Sequence, residues 1–141
     1  MKRISTMLAA LAVITMINVA SANEYTPAQI CQSTDPTDVS YGWTSLYATD
    51  SAYVICPVTR TYSSVSTARA YVYNPSNKTT SGYVNFVSLD GSYTNYNSAS
   101  TSTSGNQTLT FSAINTNGNQ GFINFEMTIP QYGSVYGYYS N

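Results

Sequence analysis

The sequence predicts an all-β protein, an antiparallel two-sheet β-sandwich of Ig-like or jelly-roll-like kind with about eight strands and one disulfide. Three observations predict it. No helix-period segment follows the first twenty or so residues. Apolar residues alternate with polar ones in short runs, the period of a strand with one buried and one wet face. Turn residues recur at short spacing between those runs, as in sandwiches and barrels. The 14 tyrosines suit this reading, because aromatic side chains pack well on a half-buried pleated surface.

The first predicted strand covers residues 39–46, with Tyr41 and Trp43 on one face. The second covers 52–58 and stops near Pro57. The third covers 65–73, where Ala68, Ala70 and Val72 face one way and Arg69, Tyr71 and Tyr73 the other. Asn74-Pro75-Ser76-Asn77 ends it with turn chemistry. The fourth covers 82–89, with Val84 and Phe86 inward or, in the shifted register, Tyr83 and Val87. Asp90-Gly91 is a hairpin signal, and a fifth strand runs over 92–98. The Ser/Thr-rich stretch 98–106 reads as a loop or a loose edge strand. The sixth strand covers 107–113, with Leu109 and Phe111 alternating. The seventh, 122–129, has the cleanest alternation: Ile123, Phe125, Met127 and Ile129 face the core, and Asn124, Glu126 and Thr128 face away. The eighth covers 134–139.

The start of the chain has a different character. Lys2 and Arg3 precede an apolar stretch from Met7 to Val19, which ends in Ala20-Ser21-Ala22. This is the layout of a secretory signal peptide cut after Ala22, so residues 1–22 are read as a leader and 23–141 as one secreted domain. The apolar part falls short of the roughly 20 residues a membrane span needs. Its main competing reading is a retained anchor helix; a lipoprotein is disfavoured because no cysteine sits at the cleavage point. The two cysteines, Cys31 and Cys56, are expected to pair in an oxidising compartment, outside the cell or in a periplasm.

Composition excludes more than it assigns. The domain after the leader keeps Arg60, Arg69 and Lys78 against six acids, a net charge of −3. Three scattered cations make no phosphate-neutralising patch, which argues against nucleic acid and against a polybasic membrane contact. There is no histidine, which removes the usual general base and the commonest transition-metal ligand. Oxidised cysteines offer neither a thiolate nucleophile nor a zinc site. Lys78, the lysine a Ser-Lys hydrolase would need, lies in a polar turn. The acids are dispersed, and Asp35-Pro36 and Asp90-Gly91 read as turns rather than as halves of a glycosidase pair. Asp35, Asp38 and Asp50 could offer oxygen ligands to calcium, but their spacing matches no calcium loop. No cofactor and no catalytic residue is expected.

The aromatic surplus remains as the positive signal. Tyr41, Trp43, Tyr71 and Tyr73 are candidate ligand-binding residues, since aromatic rings on a strand face can stack on sugars or pack in protein interfaces. Tyr136, Tyr138 and Tyr139 are candidates for an exposed C-terminal edge that pairs with another chain. The same tyrosines would also serve as filler in a core short of Leu and Phe. The expected function is a non-catalytic binding module for a glycan or an extracellular protein. The alternatives are a self-associating structural subunit and a secreted inhibitor. Asn77-Lys78-Thr79 and Asn106-Gln107-Thr108 also match the glycosylation acceptor pattern.

One resemblance runs over most of the domain. The stretch from Tyr53 to Arg60 contains Cys56-Pro57-Val58-Thr59-Arg60. It resembles the Cys-Pro-x-x-Arg segment of a group of small uncharacterised secreted bacterial proteins. Those chains also have an upstream cysteine, a strand like Ala70-Tyr71-Val72-Tyr73, an opening like Gly105-Asn106-Gln107-Thr108-Leu109 and an ending like Thr128-Ile129-Pro130. Some of them carry further cysteines, whereas this chain has one pair. The resemblance implies export and a β-sandwich, and no catalysis.

Overall fold

A computed structural model describes residues 24–141, so the expected leader, residues 1–22, lies outside the described residues. The chain is all-β, with two single-turn 3-10 segments, Ala28–Ile30 and Pro36–Asp38. Among the described residues no helix is long and apolar enough to cross a membrane. Eleven strands replace the eight expected: β1 Glu24–Pro27, β2 Gln32–Ser33, β3 Val39–Tyr41, β4 Leu46–Ala48, β5 Ala52–Tyr62, β6 Ala68–Asn74, β7 Thr80–Ser88, β8 Thr94–Thr101, β9 Gly105–Phe111, β10 Gly121–Ile129 and β11 Ser134–Ser140. They form two antiparallel sheets. Sheet I has the order β3-β4-β11-β6-β9, with β1 also paired to β11; sheet II has the order β2-β5-β10-β7-β8.

The long alternating segments fold as their patterns demand. Ile123, Phe125, Met127 and Ile129 of β10 are all buried, as are Ala68, Ala70 and Val72 of β6, Val84 and Phe86 of β7, and Leu109 and Phe111 of β9. These inner faces meet in one core. At its centre the Phe125 ring of sheet II touches Phe111 at 5.7 Å and Tyr138 at 4.9 Å, both from sheet I.

Several boundaries differ from expectation for local reasons. The predicted strand 39–46 is a hairpin: the Gly42 N–H bonds the Ser45 carbonyl at 2.8 Å and turns the chain between β3 and β4. Pro57 does not stop β5. It pairs with Asn124 at the margin of an irregularity beyond which Phe122 pairs with Thr61, and beside a bulge a proline is tolerated within a strand. The Ser/Thr-rich stretch is mostly paired, because β8 continues to Thr101 and β9 begins at Gly105. Small hydroxylated side chains suit an edge strand, and β8 is the outer strand of sheet II. Its inward positions include Asn95 and Asn97, whose amides bond carbonyls of the 112–115 segment. Inward polar groups of this kind discourage edge-to-edge association.

Two polar devices hold connections between strands, one where the chain crosses between the sheets and one in a hairpin of sheet II. Asn74 is fully buried. Its amide donates to the carbonyls of Lys78 and Thr103, and its oxygen accepts from the Thr80 hydroxyl at 2.9 Å. One side chain thus ties the β6–β7 turn to the β8–β9 loop, and every polar atom it buries finds a partner. The second device is the β7–β8 turn, where Gly91 takes a left-handed φ of 70°. Asp90 there accepts bonds from the Ser88 hydroxyl and from the Ser92 N–H and hydroxyl. Those bonds, that from Ser88 first, pull its carboxyl down to about 2.

Cys31 and Cys56 are joined, as expected, and both are buried. The bond ties the segment before β2 to the middle of β5 across a separation of 25 residues. In the chain-entropy view, a loop of that size stabilises the fold by about 3–4 kcal/mol. The double substitution Cys31→Ala/Cys56→Ala is expected to lower the unfolding free energy by that amount in a urea titration. A loss under about 1 kcal/mol would mean the strands alone hold this region.

Candidate functional site

The expected ligand-binding residues do not form one row. Tyr71 and Tyr73 do lie together on the outer face of sheet I. Tyr71 packs against Tyr25 at 5.8 Å, while Tyr73 is exposed. Tyr41 belongs elsewhere. It pairs opposite the buried Leu46 at the edge of the sheet, and its hydroxyl donates to the Cys31 carbonyl at 3.1 Å. Trp43 is in the β3–β4 turn, 95% exposed. The turn at residues 42–45 breaks the strand alternation that would have aligned Tyr41 and Trp43 with each other.

The expected C-terminal edge is corrected outright. β11 is internal, flanked by β6 on one side and by β4 and β1 on the other. A register shift between Val135 and Gly137 bulges the strand at Tyr136, so Val135 and Tyr138 both point inward. Tyr138 is 1% exposed, and its hydroxyl donates to the Pro57 carbonyl of the opposite sheet at 2.5 Å. Tyr136 and Tyr139 lie half-buried on the outer face of sheet I, where the Arg69 guanidinium stands 6.0 Å from the Tyr139 ring centre. Tyr25 lies over Gly137, where an added Cβ would come within 2.5 Å of its ring. Its hydroxyl donates to the Tyr136 carbonyl. The tyrosines of this face are largely occupied with one another.

Two of the three aspartates considered for calcium are likewise spent locally. Asp35 caps the second 3-10 turn, accepting from the Thr37 N–H and hydroxyl, which lowers its pKa. Asp50 accepts from the Ser51 N–H. Asp38 has its pKa raised by partial removal from water, then by the charges of Asp35 and Asp50. Among the described residues no group of three or more acids or cysteines could hold a metal ion.

A different constellation occupies the outer face of sheet II. Four neighbouring strands, β5, β10, β7 and β8, place Tyr53, Glu126, Tyr83 and Tyr96 on one surface. Glu126 stands directly opposite Tyr83, Asn124 opposite Asn85, and Asn85 opposite Tyr96. Residues two apart on a strand share a face, so the alternation that buries Phe125 and Met127 also turns Asn124 and Glu126 outward. Glu126 is held by three donors. Its Oε1 accepts from Asn85 Nδ2 at 2.6 Å and Asn124 Nδ2 at 3.0 Å, and its Oε2 accepts from the Tyr53 hydroxyl.

Beside this cluster, Tyr83 and Tyr96 meet edge to face, with ring centres 5.9 Å apart. They form a ridge between two shallow hollows. One is lined by Asn85, Val87, Tyr96, Asn124 and Glu126, the other by Ser81, Tyr83, Ser98 and Ser100. Tyr96 is 65% exposed. Phe122 and Val87, opposite one another and exposed, give the patch an apolar margin. By sequence the chain matches no family model and no curated protein.

None of these residues was singled out from sequence as a site. The usable signal was Glu126, a lone carboxylate in mid-strand between Phe125 and Met127, with Asn124 two positions before it. Such a group on an open sheet face needs donors beside it, and only the strand order reveals Asn85 and Tyr53 there.

The cluster has a measurable electrostatic signature. The bond to Glu126 favours the neutral Tyr53 phenol. Together with partial burial and the carboxylate's charge, it pushes the Tyr53 pKa up to about 12, against an ordinary value of about 10. The stabilisation is therefore fully present below about pH 10 and is lost as pH rises through about 12. In Glu126→Gln, the Tyr53 pKa is expected to fall back toward about 10, followed through its ring-carbon NMR signal. A pKa that stays near 12 in the variant would show that Glu126 does not hold the phenol.

Proposed function

We propose that this chain is an exported, non-catalytic recognition module that binds a glycan or another cell-surface ligand on the outer face of sheet II. The observation that carries the reading is the set of tyrosines on one sheet face, Tyr53 on β5, Tyr83 on β7 and Tyr96 on β8, around a carboxylate of β10 already fixed by three hydrogen bonds. Rings with apolar faces and polar tips make recognition surfaces. A pre-bonded polar cluster binds with little ordering cost, because its side chains are immobile before the ligand arrives.

The non-catalytic half of the proposal rests on residue chemistry. Acid–base glycoside hydrolysis needs two carboxyl groups flanking one bond. Among the described residues no second carboxylate shares the outer face of sheet II with Glu126; Asp50 and Asp90, which flank the adjoining strands β5 and β7, are bonded to Ser51 and to Ser88 and Ser92. The buried disulfide, together with the leader-like start of the chain, supports export into an oxidising compartment. The sheet order does not favour assembly through the C-terminal strand, which has both edges paired.

The test is retention of the purified protein on intact cells, cell-wall fractions and a printed glycan array. Tyr83→Ala/Tyr96→Ala should lose about tenfold or more in affinity, the range of a central interface residue. Tyr73→Ala, on the opposite face, should bind as the parent does. Equal retention of the parent and the double variant on every surface would remove the proposed site.

A further inference from the structure

The hydrogen bonds inside the Glu126 cluster have a consequence for what the face can accept. Asn85 and Asn124 each turn an amide N–H into the carboxylate, and Tyr53 gives it the phenol proton. One amide N–H of each asparagine and the Tyr53 phenol proton are thus spent on Glu126. The amide oxygens, the phenol oxygen and the remaining lone pairs of Glu126 are acceptors. Among the described side chains no lysine or arginine belongs to this cluster, and its single charge is negative. A ligand that carries carboxylates, sulfates or phosphates would bring acceptors to acceptors and charge against like charge, an arrangement that costs affinity. A ligand rich in neutral hydroxyl groups brings donors to these acceptors and can also accept from the second N–H of each asparagine.

The extent of the face limits the ligand further. Tyr53 on β5 and Tyr96 on β8 are separated by two intervening strands, β10 and β7. At about 4.8 Å between neighbouring strands, that is roughly 14 Å. A single sugar ring would reach either the Tyr83–Tyr96 ridge or the Tyr53 end of the face; a chain running across the strands reaches the ridge and the carboxylate cluster together. The two ridge rings are inclined by 70°, so they offer no common plane to a flat crystalline surface and suit a chain that can turn.

Resting on the reading of this face as a recognition site, we propose that its ligand is a polysaccharide chain without acidic groups, lying across β8, β7, β10 and β5. Its rings pack on Tyr83 and Tyr96, and its hydroxyls donate to Glu126 and the Asn85 and Asn124 amide oxygens.

Calorimetry and affinity electrophoresis of the full domain test this with dextran, mannan and galactan as neutral polymers, alginate and heparin as acidic ones, and microcrystalline cellulose as a flat surface. The expected result is binding to at least one neutral polymer, stronger for longer oligosaccharides of it. Alginate and heparin should bind at least tenfold more weakly. Glu126→Gln should lose about tenfold toward the neutral ligand while its thermal unfolding shows a folded domain. Because that variant also disturbs Tyr53, Tyr96→Ala provides a second loss that leaves the carboxylate cluster intact.

Binding of alginate or heparin as tightly as any neutral polymer, abolished in Tyr83→Ala/Tyr96→Ala, would overturn this ligand class and leave the recognition face standing. Binding to cellulose alone would overturn the extended-chain geometry. Absence of binding to all polysaccharides, with cell-surface retention still dependent on Tyr83 and Tyr96, would overturn the glycan inference. Absence of that retention as well would overturn the recognition reading itself.

Discussion

The contact of Phe125 with Phe111 and Tyr138 is the constraint from which the rest of the structure follows. It joins the central strand of sheet II to two strands of sheet I. Aromatic rings supply the largest buried areas in such a core, and inclined pairs add modestly to that burial. Because strand side chains alternate, fixing Phe125 inward fixes Glu126 outward. A one-residue slip of β10 would exchange the two, burying a carboxylate and exposing a phenyl ring. Core register and site geometry are therefore one requirement, placed on adjacent residues of one strand.

The two sheets divide the remaining work. Sheet I holds the more self-contained surface: Tyr25 lies over Gly137 and against Tyr71, Arg69 stands by Tyr139, and the Tyr136 hydroxyl donates to Asn106. Its tyrosines act mainly as cover, which suits a domain with few large aliphatic residues. Sheet II carries the more open surface, in which Tyr83 and Tyr96 touch each other and stand out from the sheet. Tyr53 differs from both, because its hydroxyl is committed to Glu126. The disulfide links the segment that precedes β2 to the middle of β5, the strand that supplies Tyr53. A covalent tie near that end of the proposed site limits how far β5 can move from β10.

The parts of the fold that were legible in the sequence are those written in alternation. The alternation of β6, β9 and β10 follows from period two alone, and it sets Asn124 and Glu126 outward and Tyr71 and Tyr73 on one face; for β7 the pattern admitted two registers, and packing selects the one that buries Val84 and Phe86. Three kinds of feature were not legible. The bulges beside Pro57 and at Tyr136 leave no mark in a polar–apolar pattern, yet the second one reverses which C-terminal tyrosine is buried. The strands of two to four residues, β1 to β4, are too short to show a period, and their pairing depends on the longer strands they join. Strand order, finally, brings β5, β10, β7 and β8 side by side, and it is set by long-range packing. Without it, Tyr53, Asn85 and Glu126 are residues scattered along the chain, and an aromatic row is sought instead around Trp43, which the turn at Gly42 removes from any strand.

The most direct measurement is an NMR titration of the labelled domain with a neutral oligosaccharide that binds it, reading every tyrosine ring and asparagine side-chain amide at once. The account predicts that perturbations gather on one face, at Tyr53, Tyr83, Tyr96, Asn85 and Asn124, while Tyr71, Tyr73 and Tyr139 stay still. Perturbations centred on the outer face of sheet I, or on Trp43, would contradict it.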